Sequence, residues 1–213
     1  QLASRVSVMP PDSAKRVLTR YIDTLAKAGS TEKAIGVVEN LLQAAPGDRE
    51  ALERAALVVF EHGEASQARK LYEDLLANYG NELVPSDKAA ALYRLGESAR
   101  KQGDLEAAVT ALKEALDLDP TSAEAAQSLA QVYEALGDWN RAIKVRQNRL
   151  DLAVGEERHR LLVEIGEILA TKLEDRAKAA KMFVAALEEK PDDRKLLTRL
   201  MQLYSEEKDW SKL

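Results

Sequence analysis

Residues 92–120 read LYRLGESARKQGDLEAAVTALKEALDLDP, and this stretch decides the fold. Apolar residues recur at helical spacing on both sides of the turn KQGD, which predicts two helices joined by a reversal. Leu92, Leu95 and Gly96 mark the first helix; Ala108, Leu112 and Ala115 mark the second. Gly103 stands where the chain must turn back, a place that asks for the left-handed backbone glycine adopts without steric cost. Pro120 stands where the second helix must end, because proline cannot continue it.

The pattern returns at a spacing of 34 residues. From residues 89–122, one step forward gives 123–156, where Leu129, Ala130, Tyr133, Gly137 and Ala142 fall at equivalent places. Earlier in the chain, 49–82 carries Ala68 and Tyr72, and 15–48 carries Ala34 and Pro46. Residues 159–193 make a fifth unit with one extra residue in its turn, holding Ile165, Gly166, Ala179, Phe183, Ala186 and Pro191. A truncated sixth unit occupies 194–213, residues 83–88 are an insertion, and 1–14 read as a remnant helix or linker. Small residues at Ala56, Gly96, Ala130 and Gly166, with Ala34, Ala68, Ala108, Ala142 and Ala179, allow paired helices to approach closely. No pair this short can bury its apolar stripe alone, so neighbouring pairs must stack.

These places resemble those of the tetratricopeptide repeat (TPR) family, which spaces Leu-Gly, Tyr, Ala, Phe and Pro over one such period. The resemblance is to long TPR arrays of the kind common in bacteria. It implies an all-α TPR solenoid, a right-handed superhelix of antiparallel helix pairs whose contacts run between neighbouring units. It also implies that the first helix of each unit lines a concave face.

Composition narrows the function. Of 213 residues 46% are hydrophobic, enough for a sizeable core, and the net charge of −5 is unsuited to general electrostatic binding of nucleic acid. The chain has no cysteine, so disulfides, thiolate metal sites and cysteine nucleophiles are excluded. No run approaches the roughly 20 apolar residues of a membrane helix, and a cytoplasmic location is expected. The chain begins at Gln1 and stops inside a repeat, and so reads as a piece of a longer protein. His62 and His159 read as exposed histidines at helix ends. Neither HExxH, a phosphate-binding glycine loop, nor G-x-S-x-G occurs. Asp192 and Asp193 precede a helix and suit capping. Trp139 and Trp210 are expected to pack between repeats. The reading is of a protein without catalytic residues, metal or cofactor.

What the resemblance leaves for function is the groove-facing set on the first helices. Three successive units place an arginine at the same inward position: Arg20, Arg54 and Arg94. Beside them stand Leu57, Phe60 and Tyr93, which the core pattern does not require. Arginine with aromatics is the composition of binding hot spots, and its guanidinium grips carboxylates through two hydrogen bonds. The alternative is a solvated face in which Arg20–Asp23 and Arg94–Glu97 pair within one helix. The carboxylate clamp of the family's chaperone-binding branch is poorly matched: of Thr19, Asp23, Arg54, Ala90 and Arg94, only Arg94 fits. The expected function is a protein–protein interaction scaffold holding a peptide segment or partner helix, an acidic one if the arginines bind it. An RNA-binding helical repeat and a non-catalytic arm of a larger enzyme are the alternatives. In the fourth unit, Arg146 and Arg149 replace an apolar and a small residue, and Val154-Gly155 replace the proline. Looser packing is expected there, with each charge paired or reaching solvent. The stripe Leu196, Leu197, Leu200, Leu203 and Tyr204 predicts weak self-association through the last helix.

Overall fold

The computed structural model describes residues 9–206, and every regular element among them is an α-helix. The chain divides into two compact units, Gln1–Pro120 and Thr121–Leu213. The first holds α1 (Pro11–Lys27), α2 (Thr31–Ala44), α3 (Arg49–His62), α4 (Ala65–Tyr79), α5 (Pro85–Lys101) and α6 (Leu105–Leu118). The second holds α7 (Ala123–Ala135), α8 (Trp139–Leu150), α9 (Gly155–Thr171), α10 (Arg176–Glu189) and α11 (Arg194–Glu206). Within each unit a helix packs chiefly on the next one in the chain, as short reversing turns require; α1 also touches α3.

Caps and turns explain why the helices begin where they do. Asp48, Asp104, Asp138 and Asp175 each accept a hydrogen bond from the backbone N–H three residues on, satisfying a group the helix itself leaves free. Before Asp104 and Asp138 the turn is made by Gly103 and Gly137, at φ of 78° and 72°. In the fifth repeat the extra residue puts Glu174 in that place, at φ 53°, a conformation that crowds any Cβ.

The interior is continuous within a unit. Leu18, Ile22, Ala34, Leu41, Ala55 and Val58 form one buried cluster of the first unit, and Ala56, Tyr72, Leu75 and Ala91 a second. Ile165, Ala179, Phe183, Leu196 and Leu203 do the same in the second unit. Glycine sets the closest crossings. A Cβ on Gly96 would stand 2.6 Å from Leu112 Cγ, and one on Gly166 would stand 2.7 Å from Phe183 Cδ1.

Several expectations change. Pro11–Ala14, within the stretch read as a remnant helix or linker, are helical and open α1, and Pro85–Lys88 of the insertion lengthen α5. Gly155 opens α9, so Val154-Gly155 start a helix where the repeat usually has a proline ending one. The stripe of α11 is half covered: Leu196 and Leu203 are buried, while Leu197 and Met201 remain exposed. Trp210 lies outside the described residues.

Two substitutions should move stability in opposite directions. Gly166→Ala is expected to lose about 1–2 kcal/mol despite the better helix propensity of alanine, because the Phe183 ring is fully buried and has no room to retreat. Glu174→Gly is expected to gain about 0.5–1 kcal/mol by relieving the left-handed residue. Urea unfolding of both variants measures this.

The caps carry a pH dependence. Asp104 is held below the ordinary carboxylate range, first by the Ala107 N–H and then by Arg69. Asp48, Asp175 and Asp193 are lowered as well. A depressed folded-state value favours the charged form, so the stabilisation is present above the ordinary carboxylate pKa and is lost as pH falls through the folded one. The urea midpoint should therefore drop between about pH 5 and pH 2. Asp104→Asn, which keeps a capping oxygen, should drop less steeply.

Candidate protein-binding site

All six groove candidates lie in the first unit, on α1, α3 and α5. The helix pairing brings two of them into contact. Phe60 meets Tyr93 edge-to-face at 6.5 Å between ring centres, and Tyr72 of α4 at 6.2 Å. Leu57, Phe60 and Tyr93 are each half-buried. Phe60 leans on both core clusters of the unit, so it serves the interior as well as the surface.

The three arginines differ in what they touch. Arg54 pairs with Asp23 across the gap from α3 to α1, and its Nε–H is buried without an acceptor. Arg94 lies beside the Tyr72 hydroxyl, not aligned to bond it: burial pushes that phenol up to about 12, and Arg94 pulls the other way. Arg20 is exposed, with no carboxylate paired to it among the described residues. It borders a cavity of about 460 Å³ whose lining also includes Asp12, Lys15, Arg16, Thr19 and Glu50.

Neither within-helix pair of the solvated-face alternative forms. Asp23 goes to Arg54, and buried Glu97 is gripped by Arg100 at 2.9 and 3.0 Å. Three further carboxylates of these helices have near neighbours. Glu50 is 2.7 Å from Lys15, whose pKa is raised by Glu50 and Asp48; Glu53 is 3.4 Å from Arg49; Glu61 is 3.7 Å from His62. On the cationic side, Lys101 places its ammonium 5.2 Å over the Phe60 ring. Sequence reasoning missed that contact, which crosses from α5 to α3 and leaves no trace in the helical period.

In the second unit the corresponding helices are tied by ion pairs. Arg146 is buried, 2.6 Å from Glu134 and 2.9 Å from Glu164, so its charge is paired and does not reach solvent. Arg149 donates twice to Glu157, at 2.7 and 3.0 Å, and to the Thr121 carbonyl at 2.7 Å. Arg199 grips Glu167 at 3.0 and 3.1 Å. Of the two outcomes expected for these charges, pairing or reaching solvent, both arginines take the first. His159, expected to be exposed, is buried: Nδ1 donates to the Ala186 carbonyl at 2.9 Å and Nε2 lies 3.2 Å from Asp193. Asp193 also caps α11 through the Lys195 and Leu196 N–H groups. Among the described residues no cluster of His, Asp and Glu could hold a metal ion, and no helix is long and apolar enough to cross a membrane.

Comparison with known proteins agrees with this architecture. A tetratricopeptide repeat model matches residues 22–82 and 54–123, and a second matches 99–162. The chain belongs to the tetratricopeptide repeat family, whose general business is protein–protein interaction on a helical scaffold. Cellulose synthase operon protein C of Pseudomonas fluorescens (strain SBW25) is 34% identical over 90 residues, 41% of this chain and 7% of that protein. Photosystem I assembly protein Ycf3 of Rippkaea orientalis (strain PCC 8801 / RF-1) is 29% identical over 102 residues, 46% of this chain and 58% of that one. The chain thus spans less than two thirds of the length of either relative. The crystal structure of MamA protein superposes with a TM-score of 0.72 at 23% identity, covering 85% of this chain and 94% of that chain, and shows the same fold.

The junction can be tested at Arg146. Arg146→Ala should cost about 2 kcal/mol, less than a fully buried pair would, because Glu134 and Glu164 remain partly solvated. Arg146→Met, which fills the apolar place the repeat expects, should stay within about 1 kcal/mol of the parent. Thermal or urea unfolding separates the two outcomes.

Proposed function

We propose that the chain is a non-catalytic interaction scaffold whose first unit binds an acidic protein segment bearing an apolar anchor. One observation carries this reading. On the face of α1, α3 and α5, Asp23, Glu50, Glu53 and Glu97 are paired with cations of the fold, while Arg20, Arg94 and Lys101 have no carboxylate partner among the described residues. A ligand carboxylate would meet cations there without displacing an internal acid. The half-buried Leu57, Phe60 and Tyr93 supply an apolar seat beside those cations, the pairing of aromatic anchor and arginine that concentrates binding energy. Arg54 belongs to the same face as a partly neutralised member. RNA is the poorer ligand for a chain of net charge −5.

The test uses a partner recovered with the whole chain. Arg94→Ala and Tyr93→Ala should each weaken its binding by about 1–3 kcal/mol, the range of charged hydrogen bonds and anchoring contacts. Arg54→Ala should cost less, because its charge already serves Asp23. Asp23→Ala should tighten binding by freeing Arg54, and added salt should weaken the parent complex. Unchanged affinity in Arg94→Ala and Tyr93→Ala, with helicity intact, places the site elsewhere.

A further inference from the structure

We propose that the cavity on α1 is a phosphoryl-group subsite, taking a phosphorylated side chain of the segment bound by the first unit. The peptide source rests on the function proposed above; the anion chemistry of the cavity does not.

Arg16, Thr19 and Arg20 stand at i, i+3 and i+4 of α1 and so share one face of the helix. All three line the cavity, and both guanidiniums are exposed with no carboxylate paired to them among the described residues. Lys15 holds Glu50 at 2.7 Å and Asp48 at 2.9 Å, so the carboxylate on the opposite wall is partly offset by an ammonium it shares. A carboxylate ligand has two oxygens, which one guanidinium fork satisfies. A phosphoryl group adds a third oxygen and about half to one further charge, enough to engage both forks and the Thr19 hydroxyl. The lining named above has no aromatic or aliphatic residue, and about 460 Å³ admits a phosphoryl group with its water. Asp12 is the remaining acid of the lining, one turn from Arg16, and it opposes any anion. That makes it a useful control.

The experiment follows the arginine Nε–H signals of the whole chain during titration with phenyl phosphate and phosphoserine, then benzoate and aspartate. Saturable shifts at Arg16 and Arg20 are expected for both phosphate esters, with the carboxylates about tenfold weaker. The Arg16→Gln/Arg20→Gln double variant should abolish them, and Asp12→Asn should tighten ester binding severalfold. Arg94→Ala, which tests the groove, should leave the ester shifts unchanged. Carboxylates as effective as the esters, or ester shifts that survive the double variant, would overturn the subsite. Vesicles containing phosphatidylinositol phosphate that bind the parent and not the double variant would overturn its peptide source.

Discussion

Every other feature of this molecule depends on helix pairs coming close enough to share an interior. Its helices run from 12 to 17 residues, too short to persist alone, so each must lay its stripe on a neighbour. The crossing residue decides how near the two axes come. At Gly96 and Gly166 the partner side chains Leu112 and Phe183 occupy the space a methyl group would need. Ala56 and Ala130, both fully buried, keep that place small in the second and fourth repeats. Packing of this kind turns a linear period into a face: within the first unit, residues from successive repeats, such as Asp23 and Arg54 or Phe60 and Tyr93, come into contact.

Ion pairs then distinguish what each unit presents. Exposed pairs add little stability, so counting them says little about folding. Their value as evidence lies in which charges remain. The second unit spends its arginines on its glutamates, with Arg146 serving two at once and Arg199 gripping Glu167. On the face of α1, α3 and α5 the first unit pairs Asp23, Glu50, Glu53 and Glu97 and has Arg20, Arg94 and Lys101 left over.

The sequence made the fold legible because punctuation and small residues are local signals: Gly103, Gly137 and Pro120 report the turns, and Gly96 and Gly166 report the crossings. The three arginines were singled out for a related reason, since equal places in successive repeats are expected to share a face. What each arginine touches was not. Asp23 reaches Arg54 on another helix where the period suggested Arg20 on its own, and Glu97 prefers Arg100 to Arg94. His159 looks like an exposed helix-start residue until the Ala186 carbonyl and the Asp193 cap close around it. Arg146 looked like a packing fault because its two glutamates sit on the helices before and after its own. Pairings that cross helices depend on side-chain reach and rotamer, and neither is periodic.

Net charge is correspondingly a poor guide to the partner. A chain of −5 would be expected to repel an acidic ligand at long range. At physiological salt that repulsion fades beyond about 8 Å, and the field a docking segment feels is set by the charges beneath it. On the face of α1, α3 and α5, Asp23, Glu50, Glu53 and Glu97 are paired with cations of the fold while Arg20, Arg94 and Lys101 have no carboxylate partner among the described residues. An acidic segment of the kind proposed would be admitted by position, with little help from long-range steering. Its affinity should reside in how long it stays once Phe60 and Tyr93 hold the anchor, because dissociation reports the contacts made at close range.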